Sequence, residues 1–304
     1  MSENKEIVDR ILQLKNKRNA IILAHNYQIG EVQEIADFLG DSLDLSQQAA
    51  VTDAEVIVFC GVHFMAETAK ILAYDKTVLM PDINAGCAMA NMITPRQMIE
   101  LKKKYPDHTY VCYVNCTVQT KAECDYCCTS ANAIKVIQAI PKDQKIVFVP
   151  DKYLGSYVIS QTKRDMVLWD GFCPTHRRIL AENILKMKAQ HTKAEVLVHP
   201  ECIPDVIAMA DHVLSTSGIC RRAQESEADE FIIGTEIGIL NRLERENPDK
   251  KFFPASELAE CENMKLNTLE KILWSLEDMA FEITVPEDIA KRAKKSIDRM
   301  VEII

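Results

Sequence analysis

Four landmarks recur three times in this chain, in the same order and at a period of about 87 residues. A short apolar segment runs into polar residues, ending in His25-Asn26-Tyr27, then Tyr113-Val114-Asn115, then His199-Pro200-Glu201. A hydroxyl-rich turn follows each: Asp41-Ser42, Cys128-Thr129-Ser130 and Ser215-Thr216-Ser217-Gly218. Next comes a continuous apolar run, at 56–60, 146–149 and 231–233, that stops at Gly or Pro. Each copy closes on a cysteine, Cys87, Cys173 and Cys261, at spacings of 86 and 88 residues. Self-similarity at a fixed period outranks local propensity as a guide to fold. A period this long makes each copy a small domain rather than one rung of a solenoid.

Each copy opens on a segment with helical periodicity. The stripes are Ile7, Ile11, Leu12 and Leu14; Met98, Ile99 and Leu101; and Ile179, Leu180, Ile184 and Leu185. Helices alternating with short, almost wholly apolar strands imply parallel sheets covered on both faces. The chain is therefore read as α/β: three pseudo-symmetric αβα domains with small parallel sheets around a central site. The boundaries are 1–87, 88–173 and 174–261, and the tail 262–304 is expected to pack back on the first domain as a helix that closes the ring. In such sheets ligands bind beyond the carboxyl ends of the strands, which is where the polar residues fall.

The equivalent cysteines give this site its chemistry. Three thiolates on a threefold axis leave the fourth position of a tetrahedral metal, or the fourth iron of a cubane cluster, without a cysteine. Cys87, Cys173 and Cys261 lie in loop-like segments, whereas Cys60 and Cys112 sit in apolar strands. Cys116, Cys202 and Cys220 read as small buried hydrophobes. The run Cys124-Asp125-Tyr126-Cys127-Cys128 has a spacing suited to zinc or a redox pair, but no second ligand pair stands near it. Residues i and i+2 of a strand share a face, so His25/Tyr27, Tyr113/Asn115 and His199/Glu201 are expected to converge. Ser42, Ser130 and Thr216 either cap helices or hold anions at helix N-termini, since both tasks use one geometry. His176 follows Cys173 closely and is a further cavity candidate; His108 and His191 read as solvated turn residues.

Composition narrows the setting. Eleven cysteines in 304 residues, an odd count behind a start without an apolar leader core, favour a reduced cytoplasm over a disulfide framework. No apolar run reaches membrane-spanning length. A net charge of −9 argues against nucleic-acid binding. Neither a GxGxxG fingerprint nor a P-loop is present.

Several segments together resemble one family: 24–28 (AHNYQ), 40–46 (GDSLDLS), 113–115, 128–133 (CTSANA), 198–202 (VHPEC), 214–218 (LSTSG) and 234–236 (GTE). The chain resembles quinolinate synthases over essentially its whole length. The resemblance implies one [4Fe–4S] cluster per chain, held by Cys87, Cys173 and Cys261, with an open iron acting as a Lewis acid. It implies condensation of iminosuccinate with dihydroxyacetone phosphate to quinolinate, releasing phosphate and two waters, in NAD biosynthesis. Catalysis is then expected from Glu201, Tyr27, His25 and His199. Substrate contacts are expected from His25, Ser42, Tyr113, Val114, Asn115, Ser130, His199, Pro200, Glu201 and Thr216. The partners are those two small molecules, with room for transient contact with an aspartate-oxidising enzyme. Some members carry a C-x-x-C-x-x-C run at the last ligand; Cys261-Glu262-Asn263-Met264 lacks it. A hydro-lyase with the same open iron, or an iron–sulfur carrier without chemistry, are the alternatives; the second leaves the converging His, Tyr and Glu residues without a use.

Overall fold

The computed structural model describes residues 2–303. Among them, three four-stranded sheets form, and every strand pairing within them is parallel. The first contains β1 (Ala20–His25), β2 (Phe38–Gly40), β3 (Val56–Cys60) and β4 (Thr77–Leu79). The second contains β5 (His108–Tyr113), β6 (Tyr126–Cys128), β7 (Lys145–Val149) and β8 (Met166–Leu168). The third contains β9 (Glu195–Val198), β10 (His212–Val213), β11 (Glu230–Gly234) and β12 (Lys251–Pro254). All three share one strand order: second, first, third, fourth. The chain leaves the first strand of each copy toward one side and later returns to its other side. This reversal opens a crevice at that strand's carboxyl end. His25, Tyr113 and His199 stand there, the first two as the last residues of β1 and β5 and the third just after β9.

The long strands follow from their sequence. Every residue of β3 is buried, as expected of a strand covered by helices on both faces. The short edge strands carry no periodicity to read, and one expectation fails for that reason. Cys128 does not belong to the helix-entry turn; it ends β6, paired with Tyr113. The helix stripes are narrower than predicted. Ile11, Leu14, Met98 and Ile184 are buried, but Leu12, Ile99 and Leu185 are exposed, while buried Ile179 and exposed Leu180 precede the third helix, which starts at Ala181. Each of these helices covers a sheet on one side only, so a residue one step around the helix faces water. The two histidines read as solvated are packed: His108 lies 5.1 Å from the Tyr105 ring and His191 stacks on Phe253 at 3.6 Å.

The tail divides. Helix Leu269–Asp278 packs on helix Ser2–Lys17 and on β3. Residues 281–283 then extend the edge of the first sheet, with Ile283 N donating to Val78 O at 2.8 Å and Met80 N to Phe281 O at 3.2 Å. Helix Glu287–Glu302 lies across helices Ser42–Val51 and His63–Leu72 of the first copy, and across β6 and helix Val118–Lys121 of the second. Asn132 Nδ2 fixes its end by donating to Met300 O at 2.7 Å. Among the described residues no helix is long and apolar enough to cross a membrane.

Candidate active site

A cavity of about 250 Å³ opens where the three sheets' carboxyl ends meet. Cys87, Cys173 and Cys261 all line it. They are also the only cysteines of the eleven that are part-buried rather than buried, and none is in a disulfide. Their exposure is to the cavity, so their thiols are still desolvated. Burial pushes Cys87 up to about 12, and it raises Cys173 and Cys261 as well. Ionising Cys261 would oppose ionisation of Cys87, and ionising Cys87 that of Cys173, as thiols facing one space must. Among the described residues, the one set of ligand atoms within 4.8 Å of one another, the reach of a single ion, is Cys173, His176 and Glu201. The three thiols stand further apart than one ion requires.

The i, i+2 pairs converge as their alternation dictates. His25, Tyr27, Tyr113, Asn115, His199 and Glu201 all line the cavity, as do Ser42, Ser130 and Thr216. Val114 and Pro200 do not. They occupy the intervening position, whose side chain points to the opposite face, and Val114 is buried in the core.

The two histidines have one assignable tautomer. His25 Nδ1 accepts from Tyr27 N at 3.2 Å, and His199 Nδ1 accepts from Glu201 N at 3.3 Å. The remaining proton therefore sits on Nε2 in both rings. Burial lowers both to about 3, against the opposing pull of Glu201, so both rings are neutral. His199 Nε2–H then donates to Ser130 Oγ at 3.0 Å. With that acceptor position filled from behind, the Ser130 O–H is left to point at whatever the cavity holds.

Glu201 is the hub. Tyr113 O–H donates to its Oε1 at 2.6 Å. His176 Nδ1 lies 2.7 Å from its Oε2, a close contact but off the line of a hydrogen bond. Burial opposes ionisation of this carboxyl, but the neighbouring His176 and His199 rings and the Tyr113 hydrogen bond outweigh it, drawing it down to about 2. Thr235 Oγ1 ties His176 Nε2, at 2.8 Å, to the Tyr27 hydroxyl. Burial, then the Glu201 charge, raise both tyrosines well above their ordinary value. The arrangement is a fixed carboxylate with two protonated phenols beside it, suited to repeated proton transfer. Asn115 Oδ1 is buried without a partner, an acceptor free for a ligand N–H or O–H.

Residues 9–302 match the family model described as Quinolinate synthetase A protein. The chain belongs to this family. It is 53% identical over 297 residues to a quinolinate synthase of Dehalococcoides mccartyi, covering 98% of each chain. It is 53% identical over 298 residues to one from Thermodesulfovibrio yellowstonii, with 98% of each covered. It is 50% identical over 301 residues to one from Methanosarcina barkeri, with 99% of each covered. The chain is accordingly an enzyme of the quinolinate synthetase A family.

In this chain the helix caps are not the predicted hydroxyls. Asp41 caps helix Ser42–Val51 and Ser215 caps helix Thr216–Glu225, so Ser42 and Thr216 stand one residue further in. Ser130 lies in the turn before helix Ala133–Ala139. Four site residues were not singled out in the sequence for the roles seen here. Thr235 and Glu236 follow β11; Glu236 is fully buried and accepts from Cys261 N at 3.0 Å and from Lys265 Nζ at 2.8 Å. Asp151 follows β7 and is buried, its carboxyl raised well above the usual range by burial and then by Glu201. Asn26 stands behind the wall, bonded to Thr216. The signal was present: polar residues at the end of the third strand of a copy, beside the first-strand pairs.

Proposed function

We propose that this protein condenses iminosuccinate with dihydroxyacetone phosphate to quinolinate, releasing phosphate and two waters, and so serves NAD biosynthesis. The observation that carries this reading is the meeting, in one cavity, of three cavity-facing cysteines with the Glu201–Tyr113–His176 group. The names of the relatives support it. A [4Fe–4S] cluster fits the donor set: three unpaired thiols, one from each copy, set too wide for a single ion. Cys87, Cys173 and Cys261 would hold it. When bound, such a cluster supplies an open iron, a Lewis acid that polarises a substrate oxygen.

The remaining work falls to side chains. Glu201, ionised and held from two sides, takes and returns protons during tautomerisation and elimination. Tyr27, tied to Thr235 and His176, is the second proton carrier, with His25 Nε2–H donating beside it. Ser130 and Thr216 present hydroxyl hydrogens to carboxylates or phosphate, as Ser42 does from the first copy. Asn115 Oδ1 accepts from the substrate nitrogen or a hydroxyl. The copies 1–87, 88–173 and 174–261 act as the three domains that supply these groups, with 262–304 bracing them. A reduced cytoplasm, with an aspartate-oxidising enzyme as transient source of iminosuccinate, is the setting this chemistry asks for.

The test is anaerobic incubation of the iron-loaded protein with dihydroxyacetone phosphate and iminosuccinate made in situ. Quinolinate is expected as product, and its absence overturns the reading. Glu201→Gln should keep its iron and lose roughly a hundredfold or more of turnover; near-normal turnover removes Glu201 as the base.

A further inference from the structure

Thr216 is the one predicted anion contact whose hydroxyl is reached from behind by an amide. Asn26 Nδ2 donates to Thr216 Oγ1 at 2.9 Å. The orientation of that amide is not free. Arg242 Nη1 donates to Asn26 Oδ1 at 2.7 Å and to Leu39 O at 3.1 Å, while its Nε is paired with Glu246 at 2.8 Å. A guanidinium has no acceptor, so a flipped Asn26 would set N–H against N–H. Asn26 is fully buried, and its backbone is fixed by N–H to Gly40 O at 3.1 Å. The relay therefore runs one way: Arg242 donates to Asn26, Asn26 donates to Thr216, and the Thr216 hydrogen is left for the cavity that Thr216 lines. Asn26 itself is not on the cavity wall, so it acts only through Thr216. The equivalent positions in the other copies are Val114 and Pro200, which can donate nothing from a side chain.

We propose that Arg242 and Asn26 are positioning residues that make the Thr216 hydroxyl an obligate donor to an anionic group of the substrate or product. The proposal rests on the functional reading above and extends it to residues outside the cavity. Asn26→Asp is the informative change. An aspartate can only accept, so it keeps Arg242 as a partner, now in an ion pair, but draws the Thr216 hydrogen away from the ligand. Stability is preserved and recognition is inverted, a combination that a merely structural role does not give.

The experiment is calorimetric titration of the anaerobic, iron-loaded enzyme with quinolinate at fixed ionic strength. It compares wild type, Asn26→Asp, Thr216→Val, the double variant and Arg242→Met, with thermal melting and iron content in parallel. Asn26→Asp is expected to weaken binding by about tenfold or more, the loss of one hydrogen bond to a charged group. Its melting temperature should be equal or higher. In the Thr216→Val background the same change should weaken binding less than about twofold, because the two act as one unit. Arg242→Met should weaken binding several-fold in the wild-type background and hardly at all beside Thr216→Val, which carries the test if the aspartate variant does not fold. An equal loss in both backgrounds means direct charge repulsion and overturns the relay, as does unchanged affinity in Asn26→Asp. With wild-type binding intact, either result removes the relay alone; a wild type that neither binds nor forms quinolinate removes the functional reading and the relay together.

Discussion

Glu236→Ala strikes the buried ion pair that ties the third cysteine to the first copy. Glu236 has no exposed surface, and Lys265 little. One carboxylate oxygen receives Cys261 N at 3.0 Å and Lys265 Nζ at 2.8 Å; the other receives Gly238 N at 2.8 Å. Lys265 Nζ also donates to Tyr27 O at 2.6 Å, so the pair holds the Cys261 loop and the Tyr27 backbone together. Burial raises the Glu236 carboxyl even against the pull of Lys265, a sign of how little water reaches it. Removing one member of a buried pair costs about 3–5 kcal/mol. The two amides that lose their acceptor would each add about 1–3 kcal/mol if left unpaired, but such losses overlap. The expected destabilisation is about 4 kcal/mol, read from the urea midpoint at unchanged slope. Lys265→Met should cost a comparable amount, since it strands the carboxylate. The double variant Glu236→Ala with Lys265→Met leaves no charge behind and should recover at least about 2 kcal/mol of the summed losses. Iron bound per chain should fall in the single variants. A loss below about 1 kcal/mol, or strictly additive losses, would refute the view that the pair anchors this loop.

Asp41, raised to about 6 by burial and then by its neighbour Asp44, holds a proton in the native state that the unfolded chain releases near 4. Stability should therefore fall as pH rises from about 4 to about 6, and Asp41→Asn, which keeps a capping side chain, should gain up to about 3 kcal/mol at pH 7; the check is denaturation at both pH values, and an unstabilised variant at pH 7 counts against the argument. Alanine at Cys87, Cys173 or Cys261 should abolish the iron absorbance of the anaerobic protein, whereas Cys124→Ala and Cys127→Ala should leave it in place. Iron lost from the second group and kept by the first would move the metal to the second sheet.

The parts of the fold legible in the sequence were those with a period. The long central strands, the helices and the cysteines repeat, so three parallel sheets could be read without any neighbour's help. The three-residue edge strands could not, because Phe38–Gly40 or Tyr126–Cys128 has too few positions to alternate. The cavity residues at i and i+2 were legible for the same reason as the strands. Val114 and Pro200, named as substrate contacts with their neighbours, do not line the cavity because a motif marks contiguous residues while a strand presents alternate side chains. His176, Thr235 and Glu236 were under-read because their value is pairwise. A histidine near a cysteine says little until Glu201 and Thr235 stand on either side of it.

The threefold repeat supplies the scaffold, and departures from it supply the chemistry. The first-strand pairs occupy equivalent positions, yet they read His/Tyr, Tyr/Asn and His/Glu. Among these pairs only the third contributes a carboxylate, and both other copies answer it: Tyr113 from the second donates to it, and Tyr27 from the first is joined to it through Thr235 and His176. The hydroxyl turns follow the same logic. Ser130 is fed by the imidazole of the next copy and Thr216 by the amide of the first. In both, a donor behind the hydroxyl aims its hydrogen inward. Three identical copies would place three identical groups around the axis and could not distinguish the different ends of an asymmetric ligand. Unequal side chains on an equal backbone give one small cavity a carboxylate, two phenols, two directed donors and one free acceptor, an uneven set suited to an asymmetric ligand.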